Sequence, residues 1–268
     1  MVAGLAAALA TLAACQPRVA PPGLAAAPRR AGPSESAYRP PPSITSAAPA
    51  PGGRVMLVGR AWPGARVRLS APSGPPVFAD AGPDGVWRLT LAGAGVPRLF
   101  GLAMIDQGRA IQAEGYFALI PRGEVIQLRA GAGALGMNDP AGGARIGAVD
   151  FDSRGGTVVS GRATPRGRVE VRVDGAVAGQ GGSGPDGRFT LALAAPLALG
   201  RHRLSLIDGD REFDVEAPLM AAAPLASGPY RAGMTSAGWR IDWLTPGGGL
   251  QTTLLLGDNE QTDQGGRA

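Results

Sequence analysis

The chain repeats itself. Gly59-Arg60-Ala61-x-Pro63 returns as Gly161-Arg162-Ala163-x-Pro165. The same offset of 102 positions pairs Val67 with Val169, Gly82-Pro83-Asp84-Gly85 with Gly184-Pro185-Asp186-Gly187, Trp87 with Phe189, and Ile105-Asp106 with Ile207-Asp208. It continues to Arg129-Ala130-Gly131 against Arg231-Ala232-Gly233 without a gap. A register held over that distance marks a tandem copy of one structural unit, so both copies must satisfy the same fold. A length of 268 residues leaves room for about two domains, in agreement.

Within the second copy, Val169, Val171 and Val173 alternate with Arg168, Glu170 and Arg172, and Phe189, Leu191 and Leu193 alternate with Thr190 and Ala192. Period two of this kind belongs to strands with one buried and one wet face. Asp174-Gly175 and Gly184-Pro185-Asp186-Gly187 supply the backbone angles of tight turns between them. With 43 glycines, 25 prolines and few aromatics, short strands are favoured over long helices. Strands are predicted near 55–60, 65–70, 76–80, 86–91, 99–105 and 109–116, and again 102 positions later. Six or seven short strands so spaced read as an antiparallel sandwich. The pattern over 155–218, and more loosely over 53–116, resembles the bacterial immunoglobulin-like domains that recur in adhesins and envelope proteins. Asp174-Gly175 has no counterpart at Pro72-Ser73. The resemblance implies an all-β chain with two immunoglobulin-like antiparallel β-sandwich domains. It leaves function open, because such domains serve as spacers, docking modules and ligand binders alike.

Each repeat of about 65 residues has only a marginal core of its own. The flanking segments are therefore expected to complete them. Strands at 124–129 and 145–151 are assigned to the first repeat, and a hairpin at 238–244 and 250–256 around Pro246-Gly247-Gly248-Gly249 to the second. These additions should pair with the sandwiches or with each other and fix the two domains together. The expected domains are 53–150 and 151–256, followed by a polar, disordered tail at 257–268.

Residues 2–14, VAGLAAALATLAA, form an apolar run ahead of Cys15. It falls short of the roughly 20 residues a membrane-spanning helix needs and fits the core of an export signal. Leu12-Ala13-Ala14-Cys15 resembles the lipobox of bacterial lipoproteins at all four positions. The resemblance implies removal of residues 1–14 and a lipid group on Cys15, which anchors the protein to a membrane. Gln16 in place of Asp implies the outer membrane. No Arg or Lys precedes the apolar run, a departure from the export pattern that fits a start a few residues upstream. The plainer alternative is an apolar N-terminal helix with an incidental Cys. Cys15 is the only cysteine, so a disulfide framework is excluded. From 15 to 52 the chain is rich in Pro and Ala, and Pro21-Pro22 and Pro40-Pro41-Pro42 favour polyproline II. That makes a disordered, semi-rigid tether of up to about 3.1 Å per residue. Arg18, Arg29, Arg30 and Arg39 against Glu35 suit either anionic headgroups or plain solvation.

Arg supplies every positive charge, and the net charge is +5. The arginines alternate with apolar residues along strands instead of clustering with aromatics, which argues against nucleic acid. His202 is the only histidine and aligns with Phe100, so it reads as a packing residue. Without a second His, and with Cys15 lipidated, zinc sites and Cys-His catalysis are excluded. No Gly-x-Ser-x-Gly elbow accompanies His202. No enzyme, cofactor or metal is therefore expected. A weak calcium candidate remains in Asp150, Asp152, Asp208 and Asp210, against the ordinary use of Asp in turns. The best contact candidates lie in Trp239-Arg240-Ile241-Asp242-Trp243. On a strand, Trp239, Ile241 and Trp243 share one face. Two exposed rings would stack on sugars or, with Arg240, anchor a partner; the alternative is a face that covers a thin core. Trp62 stands where the second repeat has Thr164, either exposed or packed between domains.

These features favour a non-catalytic, lipid-anchored envelope protein. It would face the periplasm, or be flipped to the cell surface, and act as a structural or protein-interaction module for another envelope protein. The second reading is a glycan-binding or adhesion lipoprotein using Trp239 and Trp243.

Overall fold

The computed structural model describes residues 39–138, 143–152 and 156–257, and the backbone of Thr262–Asp263. The predicted signal, Cys15 and the predicted tether up to residue 38 lie outside the described residues. Arg39–Ala268 forms one compact unit.

Among the described residues there are strands and no helix. The first repeat contains β1 (Ser43–Ala50), β2 (Arg54–Arg60), β3 (Arg66–Ser70), β4 (Val77–Asp80), β5 (Val86–Ala92), β6 (Arg98–Asp106) and β7 (Arg109–Gln112). The strands β8 (Tyr116–Leu119), β9 (Val125–Arg129) and β10 (Gly133–Gly136) come after it. The second contains β11 (Arg145–Asp152), β12 (Thr157–Arg162), β13 (Arg168–Val173), β14 (Ala176–Gly182), β15 (Arg188–Ala192), β16 (Gly200–Asp208) and β17 (Arg211–Leu219). It continues into β18 (Tyr230–Thr235), β19 (Gly238–Leu244), β20 (Leu250–Leu255) and β21 (Thr262–Asp263).

In the first repeat, the sheet β1-β2-β5 faces β4-β3-β6-β7; in the second, β11-β12-β15 faces β14-β13-β16-β17. Three strands against four, all antiparallel, is the immunoglobulin-like sandwich, made twice. Several strands of the two copies agree to the residue. β6 and β16 match end to end under the shift of 102, and so do β1 and β11. Even the bulge between Ile44 and Ser46 recurs between Ile146 and Ala148.

That equivalence corrects two boundaries. Ser43–Ala50, expected as tether, is the first strand of the first sandwich, with Ile44 and Ala47 buried in its core. Its Pro49 is tolerated because β1 is an edge strand. The amide of Ala47 points outward to the carbonyl of Met137 at 3.0 Å, and the proline two residues on lies on that same outer side. Likewise the strand expected at 145–151 to complete the first repeat is β11 (Arg145–Asp152), which opens the second, so a boundary at 150/151 cuts through it. The predicted strand 109–116 is also two pieces. β7 pairs with the end of β6 and β8 with its start, whereas β17 runs unbroken along β16.

The recurring motif is explained by close packing. A Cβ on Gly59 would lie 2.2 Å from the Ser43 carbonyl and 2.3 Å from the Trp87 ring; on Gly161 it would lie 2.1 Å from the Arg145 carbonyl and 3.0 Å from Phe189. Each glycine thus lets the first strand and the core aromatic close on it. The next residues tie down the Pro-Asp-Gly turn. Arg60 and Arg162 donate to the Asp84 and Asp186 carbonyls at 3.4 and 3.0 Å. The Ala61 and Ala163 amides donate to the Gly85 and Gly187 carbonyls, both at 2.9 Å.

Each sandwich encloses its own core, around Trp87 in the first and Phe189 in the second. A third apolar layer lies between them. The strands β8-β9-β10 extend the first repeat's sheet, while β20 pairs with β11 and brings β19 and β18 into the second repeat's sheet. The outer faces of these two extended sheets meet through Leu99, Ala118, Leu128 and Ala134 on one side and Ala148, Ile241, Trp243 and Leu255 on the other. The result is four stacked sheets and three apolar layers, which gives the expected fixing of the two domains. Within the segment predicted as a disordered tail, Thr262–Asp263 pairs with Phe213–Asp214.

Candidate functional site

The predicted contact strand is β19, and its two faces serve different purposes. Ile241 and Trp243 are fully buried in the layer between the sandwiches. Trp243 meets Tyr116 of the first repeat edge to face at 5.8 Å and donates its indole N–H to Thr253 Oγ1 at 3.1 Å. It therefore offers no ring to a sugar, and the expected two-tryptophan platform is not formed. The outer faces of two thin sandwiches needed cover, and this strand supplies it. Trp239, nearer the start of β19, is only partly buried.

Arg240 lies on the other face. Its side chain is 12% exposed, bonded through Nε to Asp242 Oδ1 at 2.8 Å and through Nη2 to Thr252 at 3.3 Å. Its guanidinium lies 5.8 Å from the Phe151 ring centre. Arg240 is thus a structural ion-pair member and not a partner contact. Burial pushes the Asp242 carboxyl up, but donors on Thr252, Arg231 and Arg240 outweigh it and hold the group below its ordinary value.

Trp62 is exposed, as one of its two expected placements had it, and does not pack between the domains. Arg39 lies over its ring at 4.7 Å and pairs with Asp106. At the matching place in the second repeat, Asp208 accepts from both the amide and the hydroxyl of Thr164 at 3.0 Å. A tryptophan has no hydroxyl to give, so Asp106 is left for Arg39 and the Trp62 amide turns to Met104 Sδ at 3.4 Å.

The four calcium candidates do not converge. Asp208 holds Thr164, Asp210 stands in the β16–β17 turn, and Asp152 ends β11 at the surface. Asp150 is 2% exposed and accepts from Thr253 Oγ1 at 2.5 Å, Gln251 Nε2 at 3.1 Å and the Ala134 amide at 2.9 Å. Burial pushes its carboxyl up to about 6, against those three bonds and the charge of Arg129. Among the described residues no three His, Cys, Asp or Glu gather as a metal-binding group. His202 differs from Phe100 in purpose: its Nδ1 contacts Asp174 Oδ2 at 2.8 Å and its Nε2 the Ala198 carbonyl at 2.9 Å. The Asp174 hydrogen bond raises the imidazole above its ordinary value, and the imidazole lowers Asp174 in return.

Beside the apolar layer, the two repeats leave a groove of about 940 Å³ between them. Ile126 and Leu255 line it with Trp239, and Arg122 stands at its edge. Ser160 lines it with a buried hydroxyl that has no partner. Arg188 bridges the repeats there, giving Nε and Nη2 to the Gly136 carbonyl at 3.0 and 2.7 Å. Sequence reasoning missed Arg188 and took Asp150 only as a weak calcium candidate, not as a tie between the repeats. Neither carries a motif, because their partners are a backbone carbonyl and amide that only tertiary packing brings near.

No family model matches the chain, and no curated protein does either. Among solved structures it is similar to a "Central Fibronectin-III array of RIM-binding protein". The identity is 11%, the match covers 84% of this chain and 96% of that one, and the TM-score is 0.28. A likeness of that size says nothing of partners.

Proposed function

We propose that this chain is a non-catalytic protein-interaction module built as a rigid pair of β-sandwiches. More particularly, we propose a lipoprotein of the bacterial cell envelope, held to the outer membrane by the lipid on Cys15 and facing the periplasm, where it binds another envelope protein. The observation that carries the first step is the seam. The groups that chemistry would need, Asp150, Asp242 and His202, are engaged in holding strands, and the two repeats are joined into one body with a groove at the join. The second step is supported by Leu12-Ala13-Ala14-Cys15 alone.

The test is photo-crosslinking in cells from a position on the groove edge, such as Arg122, with Cys15→Ser as the second arm. One envelope protein captured from the groove and not from the far sandwich is expected. Cys15→Ser should move the protein from the membrane to the soluble fraction; an unchanged distribution overturns the anchor. A glycan-binding reading retains one observation, the partly buried Trp239 at the groove. Loss of polysaccharide binding in Trp239→Ala, with the fold intact, would favour it.

A further inference from the structure

We propose that this chain pairs with a second copy of itself through the free edge of β18, joining the two copies' sheets into one. β18 ends the sheet β15-β12-β11-β20-β19-β18, and β19 is its bonded neighbour. Just before β18 begins, the Leu244 amide donates to the Pro229 carbonyl at 2.8 Å. That bond sets the phase of the ladder, in which bonded and non-bonded pairs alternate. Arg231, Gly233 and Thr235 therefore turn their backbone groups to Asp242, Arg240 and Gly238 of β19. Tyr230, Ala232 and Met234 turn theirs off the edge, where no backbone group of the described residues meets them.

A bare edge of this kind templates a further strand unless something guards it. Elsewhere the fold supplies guards. β1 carries Pro49 and a bulge, and its Ala47 amide is taken by the Met137 carbonyl. On β10 the Ala134 amide goes to Asp150 and the Gly136 carbonyl to Arg188. β17 has β21 beside it. β18 has neither proline nor bulge, and its one charge, Arg231, is drawn to Asp242 and the Ala223 carbonyl.

The strand's own residues select the occupant and the register. About a two-fold axis at Ala232, Tyr230 lies opposite Met234 of the second copy, and Ala232 opposite its counterpart. Every group that points off one edge then finds its complement on the other. Arg231 faces a glycine, Gly233 of the second copy, and no like charge. The next register one way sets Arg231 against Arg231, which is repulsive. The next register the other way carries Tyr230 past the end of β18.

The side chains agree. Tyr230, Ala232 and Met234 share the face turned to the seam, where the Tyr230 hydroxyl donates to the Pro97 carbonyl at 3.3 Å. Met234 is 64% exposed, and Val96, next to Pro97, is 61% exposed. Pairing brings Met234 of one copy alongside Tyr230 of the other, on the side where Val96 stands, a favourable thioether–aromatic contact. One strand edge is a small interface, so the dimer is expected to dissociate in the micromolar range. The pairing does not require the groove to hold an envelope protein.

Sedimentation equilibrium of the full chain, with Cys15→Ser to remove the native thiol, should show a monomer–dimer equilibrium across that range. Ala232→Pro removes the amide at the centre of the pairing and no bond to β19. It should weaken association by about tenfold or more, with circular dichroism unchanged. A chain that stays monomeric throughout leaves the edge to another protein's strand and overturns the proposal. So does a dimer that Ala232→Pro leaves intact. Should that variant fail to fold, single cysteines in the Cys15→Ser chain replace it. Ala232→Cys meets its own counterpart across the axis and should form an intermolecular disulfide on mild oxidation. Met234→Cys, although more exposed, lies about 14 Å from its counterpart and should not. A disulfide that forms at neither position, or equally at both, overturns the proposal.

Discussion

The indole N–H of Trp243 donates to the hydroxyl of Thr253, and Thr253 donates onward to Asp150, so a tryptophan from the C-terminal hairpin supports the carboxyl that ties the two repeats. Trp243 is fully buried. Trp243→Ala should therefore cost about 3–5 kcal/mol, as for large core aromatics. Trp243→Phe keeps most of the apolar volume but drops the donor, and should cost about 1–2 kcal/mol. Urea unfolding of both variants measures this. Equal, small losses would mean the interlayer contact is not part of the stable body.

The paired glycines make a symmetric prediction. Gly59→Ala and Gly161→Ala each force a methyl into a neighbouring strand's carbonyl, and each should destabilise by about 1–3 kcal/mol. Gly95, with nothing within 4 Å of its Cβ position, is the control, and Gly95→Ala should stay within about 0.5 kcal/mol. Thermal unfolding compares the three.

His202 gives stability a pH dependence near neutrality. Its hydrogen bond to Asp174 raises its pKa in the folded chain above the ordinary 6.5. The contribution is complete below the unfolded value and lost as pH rises through the folded one. His202→Phe, which restores the residue of the first repeat, should remove the decline in stability as pH rises above the ordinary 6.5. NMR titration of the wild-type imidazole should give a midpoint above 6.5.

Asp242 acts in the opposite direction. Its donors hold the folded carboxyl below 3.8, so its contribution is present above that value and is lost as pH falls through the folded one. Asp242→Ala leaves the enclosed Arg240 without its carboxylate and should cost about 3–5 kcal/mol at neutral pH. The same variant should show a shallower acid unfolding curve below pH ~4, followed by circular dichroism.

The alternation of Val169, Val171 and Val173, and the offset of 102, were enough to read an all-β chain, its duplication and most strand positions. Both are local signals: period two follows from the pleat, and a copied register follows from copied residues. β1 was hidden because an edge strand tolerates Pro49, so its composition imitates a tether. The break between β7 and β8 was hidden because its cause is pairing along β6, which local pattern does not carry.

What the residues alone determined was therefore the repeating unit and its β-sandwich strands. The tertiary structure decided where the copies meet and which side chains lie there. Trp239 and Trp243 share one face of one strand, and only the arrival of β8–β10 separates a ring at a groove from a ring sealed between sheets. The sequence shows Asp150 only as a weak calcium candidate, and not its place at the seam, for the same reason. Its burial, and hence its proton affinity, depends on the Ala134 amide and a glycine without a side chain, contributed by the other repeat. Burial is a property of the assembled sheets, and no stretch of chain contains it by itself.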